Sequence, residues 1–313
     1  MKEKTAALLI GFGGPQGMAE VRPFLESVLE GVRIPPQRFE EVLHHYEAFG
    51  GVSAYNAVTY RQQKALERWL NSQNSPLPVA VGFRHCPPSF REVFRAFKKE
   101  GVKKVVGFVL ASFRSFASFE KYQAKILDGR REAGAENIEI VYTDSFAANT
   151  LYLEAQADEV KKTLRSFSEA EKHTTYFLFS AHSIPVVVSE QSISSHGASY
   201  ASQFLAAGAS IAGMLGLNDH WSVAYQSRSG NPHDPWLEPD VKDVVARLDT
   251  KKFERVLFIP VGFLCDNVEV VYDLDTEAKK SCEEHGFGYF RASTVADHPK
   301  FIEMMGRQIL EKL

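Results

Sequence analysis

Glu269, Asp273 and Glu277 recur at intervals of four in the segment Pro260–Ala278, PVGFLCDNVEVVYDLDTEA. On a helix that interval stacks three carboxylates along one face. Like charges so placed repel, so the file is either a merely solvated face or a device for chemistry. Hard oxygen ligands in a row suit a divalent cation or a proton relay. Upstream, His182 stands in Ser-Ala-His-Ser-Ile-Pro (Ser180–Pro185), at the end of the apolar run that begins at Phe177. A neutral imidazole there can ligate a transition metal or act as a general base near neutral pH. Alone, it reads more simply as a histidine hydrogen-bonded at a strand end. Together with the carboxylates, one borderline nitrogen plus oxygen ligands fits Fe2+, Co2+ or Zn2+ better than Mg2+. His233 falls in a loop and is expected at the surface. The other histidines read as surface or packing residues.

Two further segments carry candidate binding groups. Gly11–Gly17, GFGGPQG, has Gln16 where a dinucleotide turn needs its third glycine, and no P-loop pattern occurs in the chain. Gly13 would still let the backbone approach a flat ligand closely, and a tight strand-to-helix turn explains it equally well. Tyr225–Pro239, YQSRSGNPHDPWLEP, sets Arg228 just past a strand end and Trp236 in a loop. An arginine so placed can pair a carboxylate bidentately, and an indole can wall an apolar pocket. An interdomain salt bridge and ordinary packing are the competing accounts.

These residues need a scaffold. Apolar, β-branched runs predict strands at 6–11, 79–83, 105–110, 138–142, 175–179, 221–225 and 256–261. Helical patterns alternate with them at 62–71, 90–100, 119–133, 151–166, 200–217, 240–248, 268–285 and 300–313. Such alternation implies a parallel sheet covered on both faces. The halves echo each other: VAVGFR precedes two prolines, a helix and a strand, as SVAYQSR does later. The expected fold is α/β, with two similar doubly wound, Rossmann-like parallel-sheet domains facing a central cleft. The expected domains are 1–147 and 148–313, the second carrying the histidine and the glutamates. Ligands in such sheets sit at the carboxyl ends of the strands.

With 36 basic and 39 acidic residues among 313, the chain has a formal charge of -3. It therefore lacks the basic excess that nucleic acid would require. Cys86, Cys265 and Cys282 form no zinc or disulfide spacing, which points to a reducing compartment, read here as the cytoplasm. No signal peptide or membrane span is evident. Peripheral membrane contact and oligomeric state are left open.

Taken together, these motifs resemble the ferrochelatases, which insert ferrous iron into a porphyrin at the end of haem synthesis. The resemblance spans nearly the whole chain: LLIGFGGP, FGGVSAYNAVT, FRHCPPS, FSAHSIP, YQSRSGNPHDPWLEP, the glutamate segment and RASTVADHPKFI each match a family segment. It implies that His182 and Glu269 bind the incoming metal and accept the pyrrole protons. Asp273 and Glu277 would form a polar track for metal or protons. Arg84 and Arg228 would meet porphyrin propionates, with Phe12, Gly13 and Trp236 beside the ring. The loop ASFRSFASFEKY departs from the family and puts Phe113 and Arg114 where its porphyrin contacts lie. Phe12 stands where some relatives have a metal-touching tyrosine, and Asn267 where a histidine is common. The substrate would be protoporphyrin IX or coproporphyrin III, with ferrous iron as co-substrate. Some relatives hold an iron–sulfur cluster on four cysteines; three cysteines predict none here, and no other cofactor is expected. A non-catalytic tetrapyrrole carrier and a cobalt chelatase are the alternatives.

Overall fold

The computed structural model describes residues 4–31, 36–229 and 234–313. His233 lies outside the described residues. Within them the apolar runs form β1 Thr5–Gly11, β2 Val79–Phe83, β3 Lys104–Val109, β4 Glu139–Tyr142, β5 Thr175–His182, β6 Trp221–Gln226, β7 Arg255–Ile259 and β8 Gly288–Arg291. They build two four-stranded sheets, ordered β2-β1-β3-β4 and β6-β5-β7-β8. Every neighbouring pair is parallel. The same strand order twice over bears out the doubly wound α/β expectation. The central strands have helices on both faces and are apolar without alternation: Ala6–Ile10 and Val256–Phe258 have no exposed surface.

Local signals set the helix ends. Ser89 and Glu92 form a capping box at the start of Phe90–Glu100, and Gly101, with φ of 76°, closes it. Along that helix Phe90, Val93, Phe94 and Phe97 fall on one face and join the core beneath β1 and β3.

Several elements lie beyond the sequence expectation. β8 is four residues long and begins on an exposed glycine, so no apolar run announces it. Helix Met18–Val28 contains Pro23. Helix Val186–His196 opens on three valines, residues that by themselves favour a strand. Helices Pro36–Glu47 and Glu169–His173 also form.

The chain divides into two compact units, Met1–Ala111 with Phe116–Ser145 and Ala296–Leu313, and Ser112–Ser115 with Phe146–Val295. The C-terminal helix Pro299–Leu310, expected in the second half, thus belongs to the first unit. There Gln62 Nε2 donates to the Ala296 carbonyl at 2.9 Å. Phe301 meets Phe108 edge-on at 6.4 Å between ring centres. No helix among the described residues is long and apolar enough to cross a membrane.

His85, in the first unit, illustrates how packing absorbs a titratable group. Its ring lies 4.5 Å from the Phe12 ring, centre to centre. Its Nδ1 is 2.9 Å from Ser27 Oγ. Burial, then the neighbouring Arg84, pushes its pKa down to about 3. The unfolded chain takes up this proton near pH 6.5 and the folded chain does not, so stability falls as pH drops from 6.5 towards 3. At pH 5 the cost is about 2 kcal/mol, from about 1.36 kcal/mol per pKa unit. Denaturant midpoints at pH 7 and pH 5 check this: in His85→Phe the difference between the two should shrink by about that amount.

Candidate functional site

His182 is the last residue of β5, a central strand whose neighbours are β6 and β7. The turn beyond it is pinned from two sides. Ser183 N donates to the Gln226 carbonyl at 2.7 Å, and Ser183 Oγ donates to the Leu237 carbonyl at 2.8 Å. Leu237 N and Val186 N then bond to the carbonyls of Ile184 and Pro235 at 3.0 and 2.9 Å. The far arm of the Tyr-Gln-Ser-Arg loop therefore braces the histidine turn. Gly262 allows the loop after β7 to lie against β5, since a Cβ there would come within 2.5 Å of Ala181 Cβ.

The imidazole has one assignable tautomer. His182 Nδ1 is 2.5 Å from the Ser183 carbonyl oxygen, and a carbonyl can only accept, so Nδ1 carries the proton. In the neutral ring Nε2 then bears the lone pair, and it lies 3.8 Å from Glu269 Oε1. A nitrogen lone pair opposite a carboxylate is a donor pair for a transition metal and a place for a proton to land.

The carboxylates do not ride on a regular α-helix. Asn267 caps the start, its Oδ1 accepting from Val270 N at 3.0 Å. Val268–Val270 is α-helical, Val271–Ala278 is π-helical and Lys279–Glu284 is α-helical again. The wide i→i+5 turn, a rare form that gathers at functional sites, still keeps residues four apart as neighbours. Asp273 shows this. Its carboxyl is pushed up to about 7, mostly by burial and further by Glu269 and Glu277, while the Ser227 hydroxyl works against the rise. Ser227 Oγ donates to Asp273 Oδ2, from a residue in the left-handed region at φ 62°. Gln226 Nε2 lies 3.5 Å from the same oxygen. Asp273 can thus hold or release a proton near neutrality. Glu277 is compensated instead, 2.7 Å from Lys242 Nζ.

Four other candidates share this unit. Arg228 Nη1 is 3.7 Å from Glu238 Oε1 and Nη2 donates to the Asp234 carbonyl at 3.3 Å, so its charge is engaged by its own loop. Trp236 is half-buried, and its indole Nε1 has no hydrogen-bond partner among the described residues. Phe113 is 2% exposed, packed on Tyr200 and Phe204. Its ring is buried among these aromatics. Gln203 grips the neighbouring backbone, bonding to Arg114 N and O at 3.0 and 2.9 Å.

Phe12, Gly13 and Arg84 belong to the other unit. Phe12 is half-buried on His85. Gly13 has φ of 87°, and a Cβ there would sit 2.4 Å from Cys86 Sγ; internal packing accounts for it. Arg84 donates to the Ala117 carbonyl at 3.3 Å and lies over the Tyr122 ring, beside a cavity of about 260 Å³ that Lys125 and Glu132 also line. Sequence reading overlooked Ser227, Lys242 and Arg291. Ser227 sits inside the Tyr-Gln-Ser-Arg motif and Arg291 heads the RASTVADHPKFI segment, while Lys242 carries no sequence signal.

The ferrochelatase family model matches residues 4–313. The chain belongs to the ferrochelatase family. It is 37% identical to a ferrochelatase of Rhodopirellula baltica, over 98% of this chain and 85% of that protein. It is also 37% identical to a coproporphyrin III ferrochelatase of Propionibacterium freudenreichii, over 100% of this chain and 88% of that one. The sirohydrochlorin chelatase SirB of Bacillus subtilis, solved with cobalt, shares the fold with a TM-score of 0.58 and 10% identity, over 98% of this chain and 94% of SirB. This ferrochelatase is thus a porphyrin metal chelatase that inserts iron for haem synthesis.

The raised Asp273 carboxyl has a measurable consequence. The folded chain keeps its proton up to about pH 7, whereas the unfolded chain loses it near 4, so this residue makes stability fall as pH rises between those values. Relative to wild type, Asp273→Asn should gain stability between pH 5 and 8, on the order of 2 kcal/mol after allowance for solvent screening. Thermal or urea unfolding at the two pH values reads this directly.

Proposed function

We propose that His182 and Glu269 receive ferrous iron and take the pyrrole protons, with Asp273 passing protons away. The observation that carries this is His182 Nε2 lying 3.8 Å from Glu269 Oε1, with a carboxyl that titrates near neutrality one turn further on. Insertion exchanges two pyrrole N–H protons for one Fe2+. Two protons must leave as the metal enters, and a base on one face of the ring accelerates that step by about 10²–10⁴-fold. Strain that bends the macrocycle, drawn from binding elsewhere on the ring, exposes the nitrogen lone pairs. The Nδ1 bond to Ser183 holds the imidazole in the tautomer that offers Nε2.

We infer coproporphyrin III as the porphyrin, because relatives from Propionibacterium freudenreichii and Corynebacterium glutamicum, at 37% and 33% identity, are coproporphyrin III ferrochelatases. The chemistry calls for no iron–sulfur cluster, which takes four ligands where this chain has three cysteines. No disulfide joins those thiols, in keeping with a reducing compartment such as the cytoplasm.

Anaerobic mixing with Fe2+, followed by loss of free-base fluorescence, tests the proposal. Coproporphyrin III should turn over at least about tenfold faster than protoporphyrin IX, by about 1.4 kcal/mol or more of discrimination. His182→Ala and Glu269→Gln should each lose about 10²-fold or more in kcat with the fold intact. Retained turnover in both variants would remove these residues from the mechanism, and preference for protoporphyrin IX would overturn the substrate assignment.

A further inference from the structure

One guanidinium grips the carboxylate-bearing coil at two points. Arg291, at the end of β8, donates from Nε and Nη2 to the two oxygens of Asp275, at 2.7 and 2.9 Å. From Nη1 it donates to Asp266 Oδ1 at 2.8 Å and to the Ala292 carbonyl at 3.2 Å. Tyr289, on the same strand, adds a bond to Asp275 Oδ1 at 2.6 Å. Asp266 immediately precedes the helix cap Asn267, and Asp275 lies within the π-helical stretch. The span between the two anchors contains Glu269 and Asp273.

A bidentate arginine fork has fixed geometry that a lysine cannot reproduce. The Arg291 side chain is 15% exposed, and its partners are about one-third exposed. An ion pair removed this far from water adds little net stability, because desolvation offsets the attraction. Its surviving effect is to fix position. A π-helical turn is a rare form, frequent at functional sites, and an uncommon backbone persists where its surroundings over-determine it; this fork is such a constraint.

We propose that Arg291 is a positioning residue for metal insertion: by tying Asp266 to Asp275 it holds the π coil in the register that sets Glu269 opposite His182. The inference rests on the reading of His182 and Glu269 as the metal and proton acceptors. It predicts that the fork controls how the metal is met and leaves porphyrin binding alone.

The test uses the full-length enzyme, Fe2+ and the porphyrin that turns over faster, with KM measured separately for each substrate. Arg291→Lys and Asp275→Asn should each raise the metal KM by about 10–100-fold, the range for groups that orient metal ligands. The porphyrin KM should stay within about twofold, and the double variant should be little worse than either single one. Phe97→Leu, a core change in the other unit, serves as a control for stability: it should lower the melting temperature and leave both KM values unchanged. Asp275→Asn keeps the side chain's shape and so guards against a variant that fails to fold. An unchanged metal KM in folded Arg291→Lys and Asp275→Asn, or a parallel rise in both KM values, overturns the proposal. Full turnover in His182→Ala and Glu269→Gln would instead overturn the reading beneath it, and the positioning role with it.

Discussion

Like-charge repulsion is the constraint around which the second unit is organised. Asp266, Glu269, Asp273, Asp275 and Glu277 crowd a short coil, and unrelieved they would drive it apart. The fold relieves each differently. Arg291 takes Asp266 and Asp275, Lys242 takes Glu277, and burial together with the other carboxylates raises the Asp273 pKa towards neutrality. Glu269 is left to face His182. The acidic coil is therefore a sorted set, in which compensation of some charges leaves Glu269 and His182 as the pair proposed to act.

The scaffold places that pair by rules that apply to any parallel sheet. Strands that run the same way end on the same edge, so β5, β6 and β7 deliver His182, Gln226 with Ser227, and the loop to Asn267 at one edge. Backbone bonds from the turn after β5 to the loop after β6 then lock the histidine in place. The first unit repeats the scaffold with the same strand order and also has a π-helical stretch, Phe116–Glu120, after its third strand. Its chemistry differs. That stretch is mostly aromatic and small, Arg84 is spent on the Ala117 carbonyl, and one of its histidines, His85, is folded into packing. One architecture thus occurs twice, and the groups proposed to react lie in the second copy.

Much of this was legible in the chain. Central strands buried on both faces must be apolar throughout, and among the described strands all but β8 overlap apolar runs in the sequence. His182 and the glutamate series stood out because chemistry-bearing residues recurred at strand ends and at helical spacing. The details of contact were not legible. The burial of Phe113 against Tyr200 and Phe204 could not be read from the chain, because a lone phenyl ring carries no mark of which surface it will meet.

The sequence by itself determined the α/β class, the two similar halves and the histidine and carboxylates proposed to do the chemistry, because periodicity and residue type are local properties. Tertiary structure decided the π-helical turn, the pairing of Lys242 with Glu277, the Arg291 fork and the return of the C-terminal helix to the first unit. Each of these brings together residues distant in the chain, or bends a coil against its intrinsic preference, and such choices are settled by the balance of charge and packing in the folded molecule.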